Sequence, residues 1–351
     1  MSLTSISLFS GAGGLDVGFE AAGFQTLFAN ELDHDAAEAW RLNRRDFAHV
    51  MVEGSIDEHI SELGKFAGKV DVLFGGPPCQ GFSVAGKMNP TDPRSQLVWS
   101  FMDAVEQVRP RVFVMENVAA LGRLNKWSAV REGLVNRANQ AGYDVAYRVW
   151  HTPDFGVPQN RDRVIFVGVA DGDASLFAEK MPAHAATPKT AREVILSAGK
   201  YGTPENPQTC TSNVTLAKNP VMRSSAYAGM LVNGAGRPID LNGIAATLPA
   251  TMGGNKTPIV DQAALDDPTR TNWFETYRDD VASGHVEPAT VCVPEYMRRL
   301  TIKEAAAFQT FPTGYRFSGS KTTQYRQIGN AVPCMFAHAV AKTIKDTYLE
   351  V

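Results

Sequence analysis

The sequence has 351 residues and lacks any apolar run near the roughly 20 residues that span a bilayer. Its first lysine or arginine is Arg41, so the basic head of a secretory leader is missing. Cysteine is scarce. Cys79, Cys210, Cys292 and Cys334 are scattered, with no C-x-x-C pair, which argues against a zinc site or a disulfide framework and predicts no metal. The pattern fits a reducing cytoplasm. An excess of positive charge is lacking too. There are 34 Lys and Arg against 37 Asp and Glu, a net charge of −3, so bulk charge does not mark a nucleic-acid binder. Repeats and low-complexity tracts are absent. Charge is nevertheless uneven. Residues 1–80 carry 12 acidic and 5 basic residues, whereas residues 298–326 carry 6 basic and one acidic. The second stretch suits a polyanion partner, or an ordinary solvated face.

What is present begins with a βαβ pattern. An apolar strand over 4–9 runs into Ser10-Gly-Ala-Gly-Gly, then a helix over 15–22, a stop at Gly23, and a second strand ending at Asn30-Glu31. Glycines at the turn let backbone approach a ligand closely, and an acid at the tip of the second strand suits a ribose diol. A dinucleotide fingerprint would place its third glycine at position 16, which is Asp16. A carboxylate there would repel a pyrophosphate, so the turn favours a nucleoside without phosphates over NAD.

Val70 to Phe74 reads as a buried parallel strand. It is broken by Gly75-Gly-Pro-Pro, and Cys79 follows. A thiol just past the carboxyl end of such a strand sits where an open α/β sheet puts its chemistry, although a free cysteine is often only a small buried hydrophobe. Another strand, 111–115, ends at Glu116-Asn117, whose carboxylate is expected at the same crevice or at a helix start. Strands over 143–150 and 164–169 are expected to pair, and alternation puts Arg161 and Arg163 on one face. Residues 171 to about 292 are rich in turn formers and read as a second, loop-rich unit. Thr301 and Glu304 are spaced as a capping box, and a helix over 335–344 closes the chain.

In this order the motifs resemble the DNA (cytosine-5) methyltransferases. The matching stretches are Phe9 to Leu15, Asn30-Glu31, Gly75 to Ser83, Glu116-Asn-Val118, Gln159-Asn-Arg-Asp-Arg163, Arg299 through Glu304, and Gln327 to Val332. Pro-Cys-Gln, Glu-Asn-Val and Gln-x-Arg-x-Arg together are the specific signal. Two features depart from the family pattern. Gly54-Ser55-Ile56 stands where the family has Gly-Asp-Ile, leaving the adenine contact to Ser55, Asp57 or backbone. Leu32 follows Glu31 in place of an aromatic.

The resemblance implies a Rossmann-like α/β fold for an S-adenosylmethionine-dependent methyltransferase domain, with a smaller loop-rich target-recognition domain. The expected division is 1–170 plus 323–351 against 171–322. It implies Cys79, Glu116, Arg161 and Arg163 as catalytic residues. For S-adenosyl-L-methionine it implies Phe9, Gly11, Gly13, Gly14, Leu15, Glu31, Leu32, Ser55, Ile56, Pro78, Leu97, Asn330 and Ala331. For double-stranded DNA it implies Gln80, Ser83, Thr247, Arg298 and Arg299, with Arg161 acting near the phosphate backbone. The expected enzyme is a cytoplasmic monomer of the bacterial modification type. A restriction endonuclease of the same specificity is its potential companion. A tRNA cytosine-5 methyltransferase, a non-catalytic DNA-binding homologue and an NAD dehydrogenase are the rivals. The second would have lost Cys79 or Glu116, and the third is opposed by Asp16.

The chemistry explains these residue types. Cytosine C5 is a poor nucleophile until a thiolate adds at C6. That addition needs a carboxyl group to stabilise charge at N3.

Overall fold

A computed structural model describes residues 2–78, 96–182 and 187–350. Its centre is a seven-stranded sheet. Strand β1 (Leu3–Leu8) leads through the glycine turn to α1 (Gly14–Ala21) and β2 (Phe24–Glu31). Helix α2 (His34–Leu42) starts at Asp33, whose carboxylate accepts from Ala36 N at 3.0 Å. Strand β3 (Met51–Glu53), the single turn α3 (Ile56–His59) and β4 (Val72–Gly75) follow. Next come α4 (Leu97–Val108), β5 (Val112–Val118), α5 (Ala119–Arg123), α6 (Ser128–Gln140), β6 (Asp144–His151), β7 (Gln159–Asn160) and β8 (Asp162–Val169).

The strand order is β3-β2-β1-β4-β5-β8-β6. Strands β1 to β5 pair in parallel, and β8 joins β5 and β6 antiparallel. The order reverses between β1 and β4, and the crevice at the carboxyl ends of two such strands is where open α/β sheets bind ligands. The glycine turn after β1 and the Gly76-Pro77-Pro78 segment after β4 flank that point. Apolar strands fit this placement, because both faces of the sheet are covered. Phe101, Met102 and Val105 of α4 pack on one face with Ile6, Leu73 and Phe113. Phe19 of α1 packs on the other with Phe74 and Val167.

Beyond the sheet lie α7 (Ser175–Lys180), α8 (Ala191–Ser197), β9 (Leu216–Val221), β10 (Met230–Val232), β11 (Ala245–Ala246), β12 (Ile259–Asp261), α9 (Gln262–Asp266), α10 (Trp273–Ser283) and β13 (Met297–Arg299). Helices α11 (Ile302–Phe308), α12 (Lys321–Asn330) and α13 (Cys334–Ile344) complete the chain. Phe336, Val340 and Ile344 of α13 return to the sheet core, which also takes Phe177 of α7. A separate apolar core gathers Ile195, Leu248, Leu300, Phe308, Tyr325 and Ile328. Strand β11 pairs with β7 and joins this second region to the sheet. Among the described residues no helix is long and apolar enough to cross a membrane.

Candidate active site

Glu31 organises the β1–β2 side of the crevice. One carboxylate oxygen accepts from Gly11 N at 2.7 Å and the other from Asp33 N at 2.8 Å. The acid at the end of β2 thereby holds the turn after β1. Phe9 and Gly11 both adopt positive φ, 53° and 56°, and a Cβ built on Gly11 would meet nothing within 4 Å. The turn is therefore open above Gly11. Leu32, beside Glu31, is 69% exposed. Asn30 donates to the carbonyls of Val52 and Gly54, both at 3.1 Å, and so aligns the segment leading to Ser55. The Ser55 hydroxyl makes no capping bond to α3. Ala331 and Val332 press on Gly14, so residues more than 300 positions apart meet at the turn. Leu97 is half-buried at the start of α4, and Asn330 is exposed at the end of α12. The side chains of Leu15 and Ile56 are buried in the sheet cores.

Asp16 differs from expectation. It is fully buried and faces inward, where its Oδ1 accepts from Trp40 Nε1 at 2.8 Å. It faces no pyrophosphate, and that argument against a dinucleotide falls. Burial pushes its carboxyl up, opposed by the nearby Arg44 cation. Arg44 donates to Glu20 Oε1 at 2.5 Å and to Tyr315 OH at 2.9 Å, and Tyr315 OH donates to the Ala12 carbonyl at 2.5 Å. A Cβ on Gly13, whose φ is +88°, would come within 2.8 Å of both Arg44 and Tyr315. Glycine is thus required there. The sequence offered a signal for this cluster. Asp16 and Glu20 lie one helical turn apart in an apolar helix and call for a cation.

On the catalytic side, Glu116 is buried at the carboxyl end of β5. Its Oε1 meets Arg163 Nε at 2.6 Å. Register explains the pair, because Glu116 lies opposite Ile165 in the antiparallel ladder and Arg163 is its diagonal neighbour. Burial pushes the Glu116 carboxyl above its ordinary range, with Arg163 and then Arg161 opposing. A Cβ on Gly76 would sit 2.8 Å from Glu116 Oε2, so a larger residue there would displace the Glu116 carboxylate. Asn117 Nδ2 donates to Pro77 O at 3.1 Å. Pro78 is half-buried. Cys79, Gln80 and Ser83 lie outside the described residues.

Arg161 is placed differently from the phosphate contact expected of it. It is buried, and its guanidinium donates to Gly329 O at 2.8 Å and Leu248 O at 3.2 Å. Gln159 Oε1 accepts from Leu248 N at 2.8 Å, and Thr247 Oγ1 donates to Asn160 O. Gln159 Nε2 reaches Gln309 Oε1 at 3.2 Å, and Gln309 donates to Ile328 O at 2.6 Å. Gln309 was missed in the sequence, where a lone glutamine after an apolar helix carries no pattern.

Arg298 and Arg299 are not DNA contacts in this structure. Arg298 is buried, bonded to both oxygens of Glu304 at 2.8 and 2.9 Å and to Gln262 Oε1 at 2.6 Å, and lies over the Tyr201 ring. Arg299 is buried against the carbonyls of Thr257, at 2.7 Å, and Asn213, at 3.1 Å. Glu304 accordingly serves both the expected capping box and a buried ion pair. Arg326 pairs with Asp33 at 2.6 Å. Much of the basic run at 298–326 is therefore internal or neutralised. Among the described residues no cluster of His, Cys, Asp and Glu could hold a metal ion.

A profile described as C-5 cytosine-specific DNA methylase matches residues 3–346. The Type II methyltransferase M1.HphI of Haemophilus parahaemolyticus is 33% identical over 362 residues, spanning 98% of this chain and 87% of its own. The Type II methyltransferase M.AgeI of Thalassovita gelatinovora is 31% identical and spans 98% and 99%. The crystal structure of S. pombe Dnmt2 methyltransferase is 14% identical and covers 98% of each chain with a TM-score of 0.64, a likeness of fold. With the carboxylate at the end of β5, the glycine turn after β1 and this match along nearly the whole sequence, the chain belongs to the C-5 cytosine-specific DNA methylases and is a DNA (cytosine-5) methyltransferase with Type II modification enzymes among its relatives.

Proposed function

We propose that the chain methylates C5 of a cytosine turned out of a specific double-stranded DNA sequence, using S-adenosyl-L-methionine and a transient bond between Cys79 Sγ and cytosine C6. The observation that carries this reading is the buried Glu116–Arg163 pair, set beside the Pro77-Pro78 segment that leads to Cys79.

The crevice fits the cofactor. The open Gly11 backbone, the Glu31 carboxylate and the exposed Leu32 suit a ribose and an adenine face. Gly13, Gly14, Ser55, Leu97, Pro78, Asn330 and Ala331 would line the remainder. S-adenosylmethionine, when bound, supplies an electrophilic methyl group. The target base must leave the stack, because its C5 and C6 are otherwise shielded. Burial raises the Glu116 pKa and so favours the carboxyl form, which donates to N3 as the Cys79 thiolate adds to C6, so negative charge on the ring is neutralised as it forms. Arg163 holds the carboxyl in place and offers its remaining donors to the cytosine O2. Once C5 carries the methyl group, a water would take the C5 proton as the C6–Sγ bond breaks and the N3 proton returns to Glu116, which releases the Cys79 thiolate and restores the aromatic ring. Residues 171–322 form the target-recognition part of this reading, and 1–170 with 323–351 the catalytic part. The enzyme acts as a cytoplasmic monomer, and a restriction endonuclease sharing its site needs no stable contact with it.

The test is a trap. Duplex DNA carrying 5-fluorocytosine cannot lose a proton from C5, so a productive encounter with cofactor leaves a complex that survives denaturation. A complex with the wild type that vanishes in Cys79→Ser is expected. Trapping on similarly substituted tRNA alone would overturn the DNA assignment, and no complex with either would overturn the covalent route.

A further inference from the structure

Once Arg298 and Arg299 prove to be internal, the surface that meets the duplex must lie elsewhere. Residues 206–239 contain no Asp or Glu, in a chain with 37 acidic residues among 351. The same stretch holds Lys218, Arg223 and Arg237, all exposed. None of these three side chains has an ion pair or hydrogen bond among the described residues, whereas the sequence-nominated arginines are bound to Glu304 and to backbone carbonyls.

The stretch is built as a two-stranded antiparallel ribbon, β9 with β10. Val221 and Met230 lie directly opposite each other and are 45% and 44% exposed. Met222 beside them is also exposed. The connecting tip is fastened from behind. Arg278 Nη1 donates to Ser224 O at 2.6 Å and Arg223 O at 3.4 Å, and Tyr227 OH donates to Glu275 Oε1 at 2.9 Å. Two acids of α10 are engaged, Glu275 by Tyr227 and Asp279 by Arg278. The backbone of Arg223 is thus fixed while its guanidinium and the neighbouring apolar side chains remain outside.

Resting on the methylation reading above, we propose that the β9–β10 ribbon is the surface that reads the DNA sequence around the target cytosine, with Arg223 at base edges and Lys218 and Arg237 on phosphates. A two-stranded ribbon fits the major groove, where arginine reads guanine and apolar side chains meet the thymine methyl. A basic stretch with no acidic residue of its own supplies the charge complement. The distance is suitable too. Arg237 precedes Ala245 of β11 by eight residues, at most about 29 Å of chain. Ala245 pairs with Gln159, close to Arg161 and Arg163. Arg237 therefore lies within about one turn of duplex, roughly 34 Å, of the strand that leads to Arg161 and Arg163.

The experiment compares wild type, K218Q/R223Q/R237Q and R223A in DNA affinity, salt dependence, cofactor affinity and the sequences methylated in a random duplex library. Cofactor affinity within twofold of wild type certifies the fold. The triple variant is expected to lose at least tenfold in DNA affinity at about 0.1 M salt, with a log–log salt slope shallower by about 2 to 3. R223A is expected to accept more than one base at a position the wild type fixes. A wild type that methylates a defined sequence, with variants unchanged in affinity, slope and preference, would overturn the ribbon alone. A wild type that methylates no DNA would overturn the methylation reading and the ribbon's role with it.

Discussion

Asn117 Nδ2 donates to the carbonyl oxygen of Pro77 at 3.1 Å, and this one bond fastens the loop that leads to Cys79 to the strand that carries Glu116. The Asn117 Oδ1 meanwhile accepts from its neighbour Val118 N at 2.9 Å, which fixes the amide orientation. On the proposed mechanism the asparagine is a positioning residue, since it joins the strand that carries Glu116 to the segment that leads to Cys79. Asn117→Ala leaves the Pro77 carbonyl without this donor. We expect methyl transfer to fall by about tenfold to a hundredfold, as small displacements of reacting groups do. Calorimetric cofactor affinity is expected to stay within about twofold, and an unchanged single-turnover rate would refute the coupling.

Glu116 gives a signed pH prediction. Burial raises its pKa and Arg163 pulls it down. On the proposed mechanism the protonated form donates to N3, so turnover is expected to decline on the alkaline side as the proton is lost. Replacing Arg163 by Met removes the largest opposing charge and lets burial push the pKa higher. The residual activity of Arg163→Met should therefore keep its alkaline limb to a higher pH than wild type. A limb displaced to lower pH would reverse the assigned relationship. Glu116→Gln keeps the shape without the transferable proton, and transfer is expected to fall by about 10²- to 10⁴-fold with DNA affinity retained.

What the sequence revealed was local. The capping box at Thr301 and Glu304 and the pairing of β6 with β8 are patterns within a few residues or across one hairpin. Glu31 was legible because a strand end and a glycine turn fix where the acid must lie. Arg298 was misread because charge along a sequence does not say whether a counter-ion waits in the fold. Helix α12 was hidden for a related reason. Lys321-Thr-Thr-Gln-Tyr-Arg-Gln carries no apolar stripe, and the helix is held by Tyr325 and Ile328 alone among its larger apolar residues. Asp16 looked like part of a ligand site because the indole of Trp40 that claims it lies 24 residues away.

The Arg298–Glu304 pair supplies a test of that correction. Both side chains are buried, and Glu304 also accepts from Asn206 and Thr301 N. Arg298→Met leaves a carboxylate enclosed without its cation. Breaking a buried pair from one side costs about 3–5 kcal/mol, and denaturant unfolding should show a loss of that order. A variant of wild-type stability with weakened DNA binding would return Arg298 to the DNA surface.

Tyr315 tests the support beneath the cofactor turn. Its hydroxyl donates to Ala12 O at 2.5 Å and accepts from Arg44 at 2.9 Å, while Arg44 is paired with Glu20. These contacts tie residues after α11 to the turn after β1, so they set the turn's position without occupying the ligand's place. Tyr315→Phe keeps the ring packed against Phe311, 4.7 Å between centroids, and removes only the hydroxyl. A hydrogen bond of this kind is worth about 1 kcal/mol net, which corresponds to roughly fivefold in affinity. The dissociation constant for S-adenosylmethionine should rise by about that factor, with the rate at saturating cofactor changed less than twofold. A fall in that rate with affinity unchanged would place Tyr315 in the chemical step instead, since a prop that only shapes the binding turn acts before the methyl group moves.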